Sequence, residues 1–442
     1  MMEIKNGWKL TPLFFLYLVI ILLISDSPLA NDELRYWMFA ENLSRGFYSP
    51  RPEISLWNGP GYPLVLLPFV FLKLPLIWIR LINALFLFGA VLYFYNTLKL
   101  YSTRRPAFWV SCLFGLFPPF FGHLHLLLTE TIVLFLVCGF IFHFCKSSRL
   151  DQGGTGQWLV AGFYLGYLAL TKIFFGYVLL VGGIVSLLIY GWKRTPLFKR
   201  TVLIYGLAFV ICLPYLFYTY RLTNKILYWG DSGGLSLYTM SSPYAEELGD
   251  WFDQTKIEKK LPWAKNHKIF FDELSRLPSI QQDDLLKKQA IQNIMDHPKK
   301  FMINWAANVG RLLFNYPYSY TPQKLSTFAY LIPNMFLVVL MVFSLYPTYR
   351  ARGAIPGEIY ILLVFALIAF GGSSLVSAYA RQLLPLIPIF GLWMFLVWSK
   401  CMCIEIVTKP SGPNDTGAPK HENPPYPPFD KGGQGGFDDR RV

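Results

Sequence analysis

Acidic residues are scarce in the membrane-proximal outer segments of this sequence, so their positions matter. Asn31-Asp32-Glu33 puts two adjacent carboxylates directly after the first apolar run. A carboxylate placed there can accept the proton of an attacking hydroxyl and steady developing positive charge. Asn31 or Asp32 can equally cap a helix beginning at Glu33, because an N-cap oxygen satisfies exposed amide donors. The two readings are compatible. Glu130 opens a later apolar run, after His123-x-His125. An ionisable side chain at that depth usually faces a polar cavity, although an interfacial glutamate can also snorkel. Two histidines at i,i+2 do not share a helix face, so His123 and His125 read as interfacial residues before metal ligands. Three cations accompany these acids. Lys172 is the lone charge between apolar runs at about 158–171 and 173–190, Arg381 stands in Tyr379-Ala380-Arg381-Gln382, and Arg80 lies near the start of the second long run. Each alone reads as a lipid-headgroup contact. Converging on Asp32, Glu33 and Glu130, they would form an anion site beside a base.

The elements that must position them follow from composition. Of 442 residues, 54% are hydrophobic and only 15% charged, with the charges clustered between long apolar runs. A soluble globule cannot hide that much apolar surface, whereas a bilayer can. The net charge of +14 lies mainly between hydrophobic segments, which fits topology signals and anionic lipid rather than nucleic acid. The expected fold is therefore all-α and polytopic, with about ten transmembrane helices. The first is an uncleaved helix near the N-terminus, since Pro28 poorly suits a signal-peptidase site ending at Ala30. The other runs fall at about 75–98, 107–123, 128–145, 158–171, 173–190, 201–220, 326–346, 358–372 and 384–399. Basic clusters at Lys5/Lys9, Arg104/Arg105, Lys146/Arg149, Lys193–Arg200, Arg350/Arg352 and Lys400 occupy alternate loops of that arrangement. Both termini are then expected in the cytoplasm.

The chain divides into an N-terminal transmembrane module (1–220) that includes the first external loop (26–74), an extracytoplasmic helical domain (221–325), C-terminal transmembrane helices (326–400) and a cytoplasmic tail (401–442). In the first loop, Tyr36, Trp37, Ala40 and Leu43 predict an amphipathic helix over Glu33–Arg45 lying at the membrane surface. Gly59-Pro60-Gly61 then breaks the chain before a short apolar piece, Tyr62–Leu72. In the extracytoplasmic domain, Leu286, Ala290, Ile294 and Met295 form one stripe, and His297-Pro298 ends that helix. No cysteine lies in 221–325, so a disulfide framework is excluded there, and Cys401-x-Cys403 lacks zinc-site spacing. The Pro/Gly-rich tail from 408 is expected to be disordered.

Several landmarks, in order, resemble one family. Asp32-Glu33-Leu34-Arg35-Tyr36, Trp57-Asn58-Gly59-Pro60-Gly61-Tyr62-Pro63, Arg80-Leu81-Ile82-Asn83-Ala84, Leu128-Thr129-Glu130, Leu170-Thr171-Lys172, Asp296-His297-Pro298 and Arg381-Gln382-Leu383-Leu384-Pro385 are similar to those of GT-C glycosyltransferases, of the protein O-mannosyltransferase and lipid A aminoarabinose-transferase type. The resemblance spans about residues 10–400 and departs at Lys172, where many relatives carry Arg-Pro. It implies a polyprenyl-phosphate sugar donor, a lipid, glycan or protein acceptor, and transfer at the outer face of the plasma (inner) membrane. Asp32 would be the base, with Glu33 and Glu130 orienting the acceptor or tuning it. Lys172 and Arg381 would hold the phosphate, with Arg80 and Tyr62 as further substrate contacts. No metal or other cofactor is expected. Competing readings are a lipid or solute transporter or flippase, and a non-catalytic subunit of envelope glycan assembly. Transporters concentrate charge near the midplane and often carry repeats. This chain has neither feature.

Overall fold

The computed structural model describes residues 4–25, 28–50, 53–149, 156–252, 257, 265–319 and 327–401. The Pro/Gly tail expected to be disordered, and Cys403, lie outside those residues. The chain is an all-α polytopic membrane protein, without a strand among the described residues. Among the described residues, eight helical stretches are long and apolar enough to cross a bilayer: Gly7–Ile24, Leu76–Lys99, Glu130–Ser148, Phe174–Lys193, Pro196–Thr223, Phe328–Arg350, Gly357–Ser374 and Ala380–Lys400. Two of the ten expected runs form shorter helices. In 107–123, Pro118-Pro119 interrupts the ladder and leaves Arg104–Gly115 and the single turn Pro118–Phe121. The run at 158–171 forms Gln157–Thr171, of 15 residues.

In chain order the helices used below are α1 (Thr11–Ile24), α2 (Asp32–Ser44), α3 (Gly61–Phe71), α4 (Gln157–Thr171), α5 (Ser279–Asp296), α6 (Pro298–Phe314) and α7 (Phe328–Arg350). Glu130–Ser148 is the centre of the bundle, with 78% of its apolar window buried, while α7 lies at the periphery with 17%. α4 packs closely on Pro196–Thr223. A Cβ on Gly166 would meet the Ala208 carbonyl at 2.9 Å, so only a small residue allows that approach.

Patterning outside the spans holds with two shifts. α2 buries Tyr36 and Ala40 as expected and adds Glu33 and Phe39, with Trp37 and Leu43 half-buried against the core. Phe39 turns inward because its ring stacks on Tyr48 at 4.6 Å. In α5, Leu286 and Ala290 are buried, whereas Met295 is 71% exposed. Asp283 and Asn293 complete the stripe instead. Asp283 tolerates burial because it accepts from the Gly234 amide (2.7 Å), the Tyr228 hydroxyl (2.8 Å) and Lys287. α6 inverts the usual polarity. Its buried face carries Asn304, Asn308 and Arg311, while Met302 and Ile303 are exposed.

Candidate functional site

Asp32, Glu130, Lys172 and Arg381, scattered over 350 residues of sequence, meet in one ion-paired cluster. Arg381 donates from Nη2 to Asp32 Oδ2 at 2.8 Å, and its Nε stands 3.7 Å from Glu130 Oε1. Lys172 Nζ lies 3.5 Å from that same Glu130 oxygen. Arg35, one turn after Asp32, pairs with its other oxygen and stacks over Trp57 at 5.0 Å. The Glu130 side chain is 3% exposed, whereas Asp32 and Arg381 keep 28% and 29%. The cluster is therefore closed at Glu130 and open at Asp32. Three cations face two carboxylates, an excess of positive charge suited to an anionic ligand. Among the described residues, nothing hydrogen-bonds Lys172 Nζ or Glu130 Oε2, although both atoms are buried. Burial pushes the Lys172 ammonium below its ordinary pKa, with Arg381 adding to that push and Glu130 opposing it.

Local structure explains each placement. Asp32 does not cap α2: its N-cap residue is Asn31, which forms no side-chain cap bond. Asn31 takes φ +51°, which asparagine tolerates better than most residues. In the first turn the Glu33 amide is met by backbone, donating to Ala30 O at 3.0 Å. The capping reading is thus replaced, and the Asp32 carboxylate is left to its two arginines. Lys172 follows the last residue of α4 in extended backbone, and the Trp57–Pro63 segment is packed against that end. A Cβ on Gly59 would fall 2.1 Å from Leu170 O, and one on Gly61 2.4 Å from Thr171 Oγ1. The Tyr167 hydroxyl donates to Gly61 O at 2.8 Å. Gly59→Ala is therefore expected to push the loop off α4 and move Lys172. It should destabilise the fold by about 1–3 kcal/mol and weaken the binding of an anionic ligand at the cluster by about tenfold or more. Thermal unfolding and anion binding measured together check this, and parent-like values in both would refute it.

The other sequence candidates divide. Glu33 points away from the cluster: Oε1 accepts the Leu127 amide at 2.8 Å and Oε2 the Ala30 amide at 3.3 Å, so it ties α2 to the segment before Glu130. Arg80 is buried and donates to the Ser25 carbonyl just past α1. Tyr62 is fully enclosed, edge-on to Tyr36 at 5.1 Å. Burial, then Glu130 and Asp32, push the Tyr36 phenol up, so it is a neutral donor beside the cluster. His123 pairs with the Tyr330 hydroxyl at 2.8 Å. Among the described residues no three His, Cys, Asp or Glu side chains gather as metal ligands. Sequence reasoning passed over Arg35 as a partner, although its i,i+3 spacing from Asp32 is the signal. Tyr330 and the Gly59/Gly61 contact leave no local signal.

Asp231 lies close behind Arg35. Its Oδ2 accepts the Leu56 amide at 2.9 Å. Burial raises its carboxyl, the Leu56 amide opposes, Asp283 adds and Arg35 subtracts, for a pKa of about 6. A raised carboxyl pKa means the unfolded chain ionises first. The stability deficit is absent below the ordinary value of 3.8, grows as pH rises and is complete above about 6. Asp231→Asn keeps the acceptor for Leu56 and should stabilise by about 2–3 kcal/mol at pH 7. The gain should vanish at pH 4. An equal gain in thermal unfolding at both pH values would contradict the burial cause.

No protein-family profile matches the chain. It is 25% identical over 240 residues to the lipid A galacturonosyltransferase RgtD of Rhizobium johnstonii, a match covering 52% of this chain and 48% of that protein. The chain thus spans about half the length of the curated relative it matches. Over that half, the sequence is similar to a lipid A glycosyltransferase. Two solved structures are similar at lower identity. ArnT from Cupriavidus metallidurans, bound to undecaprenyl phosphate, aligns at 14% identity and TM-score 0.40 over 88% of this chain and 78% of its own. The oligosaccharyltransferase AglB from Archaeoglobus fulgidus, in complex with an inhibitory peptide and a dolichol-phosphate, aligns at 13% and 0.49 over 90% and 50%.

Proposed function

We propose that this chain is a membrane glycosyltransferase that moves a sugar from a polyprenyl-phosphate donor to an acceptor hydroxyl or phosphate, at the extracytoplasmic face of the plasma (inner) membrane. The observation that carries the reading is the Asp32–Arg381–Glu130–Lys172 cluster, open at its carboxylate and cationic in balance. Breaking the bond between the anomeric carbon and the phosphate oxygen gives an oxocarbenium-like state while charge builds on the phosphate. For a hydroxyl acceptor, Asp32 takes the proton as the new bond to the anomeric carbon forms. Lys172 and Arg381 neutralise the departing polyprenyl phosphate. Glu130 holds both cations in register from below. Glu33 orients α2, on which Asp32 stands, and the Tyr36–Tyr62 pair walls the site.

Two measurements test this reading. Purified protein in lipid should bind undecaprenyl phosphate and discriminate against the uncharged undecaprenol. Equal binding of the two would remove the phosphate site. For sidedness, the reading has both termini in the cytoplasm and the 221–325 region outside, which the positions of the basic clusters in the sequence support. A single cysteine at Ser279 should react with an impermeant reagent on intact cells. Reaction only after permeabilisation would put the site on the wrong face.

A further inference from the structure

We propose that Asn308 is a positioning residue that sets Arg381 from the inner face of α6. Asn308 is fully buried, and all but one of its amide group's bonds go to one short segment. Nδ2 donates to the carbonyls of Ser374 at 2.8 Å and Val376 at 2.6 Å, with a longer contact to Ser373 at 3.4 Å. Oδ1 accepts the Ala378 amide at 3.1 Å and Arg311 Nη2 at 3.2 Å. One side chain thereby fixes both edges of residues 373–378. Two flanking bonds hold the same segment, from Trp305 Nε1 to Ser374 Oγ at 3.1 Å and from the Ser377 amide to Ser236 O at 2.9 Å.

The segment leads straight into the site. Three residues beyond Ala378 comes Arg381, inside a tight turn closed by Gln382 N to Tyr379 O at 2.9 Å and Leu383 N to Ala380 O at 3.0 Å. The arginine stem therefore cannot swing without moving the 373–378 strap. Arg311 anchors the bracket at its other end by donating to Leu248 O and Pro317 O at 3.0 and 3.1 Å. A helix with Asn304, Asn308 and Arg311 inward, at i, i+4 and i+7, spends its polar groups on loops rather than water. Removing Asn308 leaves buried carbonyls unpaired, which favours rearrangement of the strap. Positioning errors of that kind weaken a site without removing any group that touches ligand.

The inference rests on Arg381 holding phosphate, so its test separates the two claims. Undecaprenyl phosphate binding is measured for the full chain in lipid and for Asn308→Ala, Arg381→Ala and the double variant. Backbone hydrogen exchange over residues 376–382 is followed in parallel. Asn334→Ala is the control, because Asn334 is equally buried and donates to Leu313 O at 2.5 Å, away from the strap. Asn308→Ala should weaken binding roughly tenfold and speed exchange at 376–382. The double variant should bind no worse than Arg381→Ala. Asn334→Ala should lower thermal stability while leaving binding and that exchange unchanged. Losses that multiply in the double variant, or unchanged exchange in Asn308→Ala, would overturn the bracket. Parent-like binding by Arg381→Ala would instead overturn the phosphate role of Arg381, with the exchange measurement still deciding whether Asn308 holds the strap.

Discussion

Asp32→Asn should lower sugar transfer by at least the roughly 100-fold that losing a general base entails, with the protein still folded. Asparagine preserves the size of the side chain but cannot accept a proton. Folding should survive because Asp32 makes no cap bond to α2, and its ion pairs with Arg35 and Arg381 are more than a quarter exposed. Pairs of that kind contribute about 1 kcal/mol or less. Donor affinity should hold or rise, since neutralising Asp32 frees Arg381, 2.8 Å away, for the phosphate. Transfer, donor binding and thermal unfolding measured on one preparation separate these effects. Parent-like transfer would reduce Asp32 to an electrostatic partner of Arg381.

The sequence disclosed the charged residues of this cluster, but not the framework around them. Asp32, Glu130, Lys172 and Arg381 stood out because an ionisable group beside an apolar run needs a reason to be there. The same criterion also selected Glu33, which accepts the amides of Leu127 and Ala30, and Arg80, whose contacts include the Ser25 carbonyl. Type and depth alone do not say which partners a buried charge finds. Periodicity located the long helices but misjudged 107–123, where two prolines override composition. It also misjudged the outer edge of α5, because a buried Asp283 is tolerable only through partners distant in sequence. Asn308 is illegible for the same reason, since its bonds reach 65–70 residues along the chain.

Arg381→Ala carries the other large effect. It removes one of the two cations paired with Glu130, which is also one of the two arginines paired with Asp32. Losing a preorganised contact to the departing phosphate should raise the barrier by about 2–4 kcal/mol, a fall in turnover of roughly 30- to 1000-fold. Lys172→Met should act similarly but also destabilise, because the Glu130 side chain, 3% exposed, then keeps Arg381 as its sole ion-pair partner in the cluster. Adding Glu130→Gln removes the stranded charge. The Lys172→Met/Glu130→Gln double variant should recover thermal stability and remain inactive. Recovery of both stability and transfer would make Lys172 a counter-ion of Glu130 with no part in holding phosphate.

The central claim is tested most directly by incubating the purified chain, in lipid, with radiolabelled polyprenyl-phosphate sugars and a panel of lipid, glycan and protein acceptors. The parent should release free polyprenyl phosphate and pass label to one acceptor class, and Asp32→Asn should do neither at a comparable rate. Failure of the folded parent to consume any donor in the panel, or equal consumption by Asp32→Asn, would contradict the account.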